Sequence, residues 1–298
     1  MALLAQLCFA GGARAMLTRP FRSVLYIPGS KARAIDKARG LPVDAVILDL
    51  EDAVAVEEKA RARATLAEAL AEGGFGHRYR VVRINGLDTG WGRDDARAVA
   101  DTACDAVLLP KVESPAQIDA LAAITGDRPV WAMMETPLGI LEARAIAAHP
   151  RLQGMVMGTN DLVKDLGARA TPDRVAVMAA LGHCVLAARA HGVTVIDGVY
   201  NAFKDEEGLR AECAQGRDMG FDGKTLIHPA QIDTANAVFG PSDAEIDLAR
   251  RQIAAYEAAR AEGQGVAVVD GRIVENLHVD TARKVLAQAE AIGQIAAE

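Results

Sequence analysis

The stretch VWAMMETPLG (residues 130–139) decides how this chain reads. Its first five residues, Val130 to Met134, are apolar and match a strand buried on both faces. Glu135 follows, a carboxylate that such a run does not need. Thr136, Pro137 and Gly139 then stop the strand and turn the chain. The next apolar run, Met155 to Met157, ends the same way, in Gly158-Thr159-Asn160-Asp161. Two consecutive strands that each release an acid at the same end put Glu135 and Asp161 side by side. Paired acidic oxygens with little else suit a hard divalent cation, Mg2+ or Mn2+, with water and substrate filling its other positions. The simpler role for either acid is to cap the helix that follows.

Outward from this stretch, strand candidates recur at 24–28, 45–50, 79–84, 106–109, 194–196 and 224–227. Between them, 31–39, 57–72, 93–104, 114–125, 139–149, 173–192 and 205–219 carry apolar residues at helical spacing. Eight strands alternating with helices predict an α/β chain closed into a (β/α)8 TIM barrel over 22–240. An open doubly wound sheet fits less well, because no G-x-G-x-x-G turn follows the first strand. Beyond residue 240 the pattern changes to a C-terminal helical and hairpin extension, 241–298. It comprises a helix at 243–261 with Ser242 as N-cap, a hairpin turning at Asp270-Gly271, and a last helix at 279–295. So small an arm buries little by itself and is expected to pack on the barrel or on a neighbouring subunit. Residues 1–21 read as a disordered leader with either Met1 or Met16 as the start, and no basic segment precedes its apolar part as a signal peptide requires.

The 298 residues are 51% hydrophobic and 24% charged, with a net charge of −7. That balance argues against nucleic acid as a partner. No apolar run approaches the ~20 residues of a membrane span. Four scattered cysteines, Cys8, Cys104, Cys184 and Cys213, contain no C-x-x-C and read as reduced structural thiols of a cytoplasmic protein.

Polar residues gather where the strands end, the face on which such barrels place their active site. LDLEDAV (48–54) puts Asp49, Glu51 and Asp52 at one strand end, where Asp52 also suits an N-cap. Arg83 is a lone cation ending an apolar strand. It needs an anionic partner, either Glu51 or Asp52 in an ion pair or a substrate oxyanion. Pro28-Gly29-Ser30-Lys31 precedes a helix and resembles a phosphate loop, with Arg33 adding charge. Lys111 is a candidate Schiff-base lysine and His228 a candidate acid–base group, though a turn cap suits His228 better. H-E-x-x-H is absent, so a zinc hydrolase has no support.

These motifs together resemble the citrate lyase β-subunit-like (HpcH/HpaI aldolase/citrate lyase) superfamily of CoA-thioester enzymes. The matching stretches are RSVLYIPGS (22–30), DLEDAV (49–54), VRINGLDT (82–89), LPKVES (109–114), METPLGI (134–140), GTNDL (158–162) and GKTLIHP (223–229). Within it, residues 199–231 and VVDGRIVENLH (268–278) are most similar to the branch that hydrolyses (3S)-malyl-CoA to malate and CoA. The resemblance implies a TIM barrel and Mg2+ (or Mn2+) held by Glu135 and Asp161. It also implies Arg83 facing the thioester oxygen, with Glu51 and Asp52 ordering the metal's water. CoA and substrate would meet Pro28, Gly29, Ser30, Lys31, Arg83 and Glu135. A homo-oligomer, trimer or hexamer, is implied, with the arm covering a neighbour's site.

One departure stands out. Lyases of the superfamily carry Asp where this hairpin has Glu275. Glu is one methylene longer, about 1.5 Å of extra reach. Glu275 is therefore expected to activate water for thioester hydrolysis. The alternatives are a malyl-CoA, β-methylmalyl-CoA or citramalyl-CoA lyase, and a non-catalytic subunit of a lyase complex.

Overall fold

The computed structural model describes residues 19–297. Eight parallel strands close into a barrel in sequence order. They are β1 (Ser23–Pro28), β2 (Ala45–Asp49), β3 (Tyr79–Arg83), β4 (Ala106–Leu109), β5 (Val130–Met134), β6 (Leu152–Met157), β7 (Thr194–Asp197) and β8 (Gly223–Leu226). Closure is made by β1 pairing with β8, Ser23 opposite Lys224. The expected TIM barrel is therefore the observed one. Every residue of β2, β4, β5, β7 and β8 is buried. That explains the continuous apolar runs of β4 and β5, whereas β8 buries Lys224 and Thr225.

The helices follow the predicted spacing with instructive differences. The segment expected at 139–149 is two short helices, Pro137–Leu141 and Ala143–Ala147. Thr136 caps the first by accepting from the Gly139 N–H, while Pro137 occupies its opening turn. Thr159–Asp165 and Ile232–Phe239 are helices that the apolar spacing did not reveal, each too short to show a period.

Two apolar layers hold the barrel. One lies between strands and helices, including Leu48, Leu66, Val82, Met134 and Leu181. The other fills the ring, including Ile47, Val81, Leu108, Met133 and Ile196. The floor is an aromatic trio. Phe21 meets Tyr79 and Trp131 edge-on at 5.3 Å each, and Tyr79 stacks on Trp131 at 5.9 Å. Gln153 accepts from both the Tyr79 hydroxyl and the Trp131 ring N–H. The expected leader, including Cys8, Met1 and Met16, lies outside the described residues up to position 18. Its last residue, Phe21, is 2% exposed and belongs to the barrel floor.

After the barrel come the helix Asp243–Ala261, the hairpin β9 (Ala267–Val269) and β10 (Arg272–Val274), and the helix Asn276–Ala297. Ser242 and Glu245 form a capping box at the first helix. Tyr256, Ala259, Ala267, Val269, Val274 and Val279 make a small core of their own. The paired residues Val268 and Ile273 face outward, 66% and 62% exposed. Cys104, Cys184 and Cys213 are buried and unpaired. Burial raises the Cys184 thiol to about 12 and the Cys213 thiol to about 11, so neither is a ready nucleophile. No helix among the described residues is long and apolar enough to cross a membrane.

Gly154 lets Trp131 fill the floor, since a Cβ there would sit 2.4 Å from the indole ring. Gly154→Ala is expected to lower stability by about 1–3 kcal/mol through overpacking. Urea unfolding followed by tryptophan fluorescence measures it, and an unchanged midpoint would show that the floor yields.

Candidate active site

Polar side chains converge where the strands end. Asp49 is the last residue of β2 and Arg83 the last of β3, and the two stand opposite each other in the parallel register. Neighbours in register share a face, so both side chains turn into the barrel. Arg83 Nε and Nη2 donate to the two Asp49 oxygens at 2.7 Å each. Its Nη1 lies 2.8 Å from Glu51 Oε2 and 3.4 Å from Asp52 Oδ2. The Tyr26 ring lies 5.0 Å from the guanidinium. Burial opposes the charge of Arg83. Tyr26, Asp49 and Glu51 outweigh that and hold its pKa well above the ordinary value.

The expected pairing of Arg83 with Glu51 or Asp52 is thus present but secondary. The main partner is Asp49, which was not singled out for this role. The signal was available, because an acid and a base ended adjacent strands at the same level. Asp49 also accepts the Glu51 and Ala53 N–H groups at 3.0 Å each, so it shapes the turn as well. Three guanidinium N–H groups donate to Asp49 and Asp52, and one on Nη2 is left for a further acceptor.

Glu135 leaves β5 1% exposed and accepts the Lys111 N–H at 2.9 Å. Gly158 makes room for it, since a Cβ there would lie 2.5 Å from Glu135 Oε2. The Gly158 N–H donates to Met134 O, tying the ends of β5 and β6 together. Asp161 follows in the first turn of the next helix. A cavity of about 300 Å3 is lined by Asp49, Asp52, Arg83, Glu135 and Asp161, with Asn160 and Asn201 at its edge. The two amides pair side chain to side chain, with Asn201 Nδ2 donating to Asn160 Oδ1 at 2.8 Å.

Electrostatics at this mouth are unbalanced. Among the described residues, the cations facing Asp49, Glu51, Asp52, Glu135 and Asp161 are Arg83 and Lys111. Burial, with Asp161 adding repulsion, raises the Glu135 pKa to about 6 even though Lys111 and Arg83 pull it down. Burial, reinforced by Asp52 and Glu135, raises Glu51 to about 7. Glu51 Oε2 lies close to Arg83 but at an angle that makes no hydrogen bond, and it is buried without another partner. The missing side chain at Gly158 keeps the space beside Glu135 Oε2 clear, as a hard cation on that carboxylate would need. No group of three or more His, Cys, Asp or Glu side chains is arranged as a metal cluster among the described residues. Glu135 and Asp161 both line the cavity and are the residues that would hold such a cation, a sparse set that suits Mg2+ with water and substrate.

The other candidates sort plainly. Lys111 has φ +49° and lies 3.7 Å from Glu51 Oε1. Partial burial disfavours its charge, but Glu135, Glu51 and Asp161 hold its pKa above the ordinary lysine value, which argues against a Schiff-base role. His228 Nδ1 accepts the Ala230 N–H at 3.1 Å and the ring stacks on Phe203, so it caps the turn. The phosphate-loop expectation is corrected in part. The Gly29 N–H donates to Asp49 O at 2.8 Å and is not free for an anion, and the following helix, Ala32–Ala38, is short. Pro28, Ser30 and Lys31 stand at the rim outside the lined cavity. Glu275 is exposed at the start of the last helix, also outside the cavity of its own chain, and its N–H donates to His278 Nδ1 at 3.0 Å.

The chain has relatives among known proteins. The HpcH/HpaI aldolase/citrate lyase family model matches residues 22–229. A protein named (3S)-malyl-CoA thioesterase from Cereibacter sphaeroides is 68% identical over 273 residues, covering 92% of this chain and 96% of that one. Citrate lyase subunit beta of Escherichia coli is 36% identical over 288 residues, covering 93% and 95%. Among solved structures, CitE from Mycobacterium tuberculosis in complex with magnesium, acetoacetate and coenzyme A superposes with a TM-score of 0.79 at 34% identity. That match covers 92% of this chain and 100% of that one. By the family model and by these identities, the chain belongs to the HpcH/HpaI aldolase/citrate lyase family.

Proposed function

We propose that the chain is an enzyme that hydrolyses (3S)-malyl-CoA to malate and CoA, with a divalent cation, Mg2+ or Mn2+, at Glu135 and Asp161. The observation that carries this reading is the convergence of both acids and Arg83 on one cavity, in a chain 68% identical to a named (3S)-malyl-CoA thioesterase. The magnesium and coenzyme A bound to the M. tuberculosis relative support the choice of cation and cosubstrate.

Held by Glu135 and Asp161, the cation would supply Lewis-acid chemistry and a chelating seat for a 2-hydroxy acid. Arg83, rigid on Asp49, presents its remaining N–H to the thioester carbonyl and stabilises the oxyanion that water addition creates. Glu51 and Asp52 order water beside Arg83. The C–S bond then breaks and CoA leaves as its thiol. Glu275 polarises the attacking water from a neighbouring subunit, since it lies outside its own chain's cavity. The exposed Val268, Ile273 and Leu277 around it suit burial against a second copy, in a trimer or hexamer. Ser30, Lys31 and Pro28 at the end of β1 face the CoA moiety. The barrel, with Phe21 in its floor, and the arm 241–298 form the working divisions of a cytoplasmic protein.

Product analysis separates hydrolysis from C–C cleavage. Purified protein with Mg2+ and (3S)-malyl-CoA is expected to release malate and free thiol; glyoxylate and acetyl-CoA in their place would establish a lyase. Glu275→Ala should lose activity, and mixing its subunits with those of Glu135→Gln should restore part of it. No restoration on mixing would place Glu275 outside the shared site.

The raised carboxyl pKa values set a pH dependence. Both groups ionise more easily unfolded, near 4.5, than folded, near 6 for Glu135 and 7 for Glu51. Their contribution to stability is fully present below about 4.5 and is lost as pH rises through those values. Mg2+ offsets that loss by pairing with Glu135. The rise in Tm on adding Mg2+ is therefore expected to be small at pH 5 and larger at pH 8, and absent in Glu135→Gln. A pH-independent rise would locate the cation elsewhere.

A further inference from the structure

We infer that Lys59 is a positioning residue for the reaction, holding Glu51 in place by gripping its main chain from behind. Lys59 opens the helix Lys59–Glu72 and is only 6% exposed. Its ammonium donates to Leu50 O at 2.9 Å, Glu51 O at 2.7 Å and Asn85 Oδ1 at 2.8 Å. The face of Trp91 lies 5.6 Å away. Among the described residues no carboxylate stands within ion-pair distance of it. A buried ammonium at a helix N-terminus, where the helix dipole opposes positive charge, is a costly arrangement for packing alone. Two of its three hydrogen bonds go to the turn that carries Glu51, and the third goes to Asn85, which itself donates to that turn at Leu50 O.

The acceptors are themselves fixed. Asn85 is 3% exposed, and its side-chain amide donates to Leu50 O at 2.9 Å and to Asp95 Oδ2 at 2.6 Å. Those donations leave Oδ1 turned to Lys59. Asp95, fully buried, is held in turn by Arg63 Nε at 2.8 Å. On the other side of the turn, Asp49 accepts the Glu51 N–H. The Glu51 peptide is thus clamped at both ends, its N–H by the acid that also grips Arg83 and its C=O by Lys59. With the backbone fixed, the Glu51 carboxylate points to the cleft between Arg83 and Lys111. Three acceptors converging on one point require a compact cation with three rotatable donors. A planar guanidinium does not meet that geometry, and a thioether offers no donor.

The inference rests on the proposed role of Glu51, and a double-mutant cycle tests it on whichever products the enzyme forms. Malate, glyoxylate and free thiol are all measured, so a wrong assignment of the reaction shows separately. Lys59→Met is expected to lower kcat about 100-fold by misplacing Glu51, with KM and the Mg2+ requirement nearly unchanged. In a Glu51→Gln background the same substitution should cost less than about threefold, because the group it positions is already gone. Lys59→Gln, which keeps two N–H donors, serves for the cycle if Lys59→Met does not fold. A crystal structure of the Lys59 variant should show the Glu51 carboxylate displaced from Arg83 within an otherwise unchanged barrel. Independent losses in the two backgrounds, a loss confined to KM, or an unmoved Glu51 would each overturn the inference.

Discussion

The bidentate pair between Asp49 and Arg83 is the constraint on which the rest of the site depends. Both residues end neighbouring strands in register, so the barrel itself delivers them face to face. A buried guanidinium without a carboxylate would leave an uncompensated charge, and such vacancies typically cost about 3–5 kcal/mol. The same carboxylate accepts two N–H groups of the turn that follows β2. One acid therefore fixes the direction of the cation and the path of Glu51 together. What remains of Arg83's donor capacity faces the cavity, rigid before any substrate arrives, which is the condition under which oxyanion stabilisation is effective.

Across the cavity the chain keeps more acids than it can pair. Buried in this way, Glu135 and Glu51 ionise reluctantly, and a cation is the natural complement. On the proposed reading, one barrel mouth can serve either hydrolysis or C–C cleavage. The cation seat and the Arg83 donor are indifferent to which bond breaks. The outcome is decided by the group brought to the substrate from outside. In this chain the proposed group is Glu275, on an arm that exposes the apolar pair Val268 and Ile273.

Much of this was legible in the sequence. Eight strand candidates separated by helical patterning specify the ring, because strands covered on both faces cannot hide their composition. The acids Glu135 and Asp161 stood out since each follows the end of an apolar run at the same end of consecutive strands. Less visible was what depends on register between strands or on side chains crossing the barrel. Asp49 looked like one of three equivalent acids until β2 and β3 were aligned. Lys59 sat in a charged helix where an exposed lysine is the ordinary expectation, and only its burial reveals it. Gly29 shows the converse: a plausible anion loop in sequence whose N–H is committed to the adjacent strand. Local pattern reports which face a residue takes, whereas tertiary hydrogen bonds decide what it can still do.

The most direct measurement of the central claim is anomalous diffraction from crystals grown with Mn2+. The account predicts one strong peak at the barrel mouth, about 2.1–2.2 Å from carboxylate oxygens of both Glu135 and Asp161. Arg83 should remain on Asp49, clear of that peak. A mouth without a peak, or a peak bound by other residues while Glu135 turns to Lys111, would contradict it.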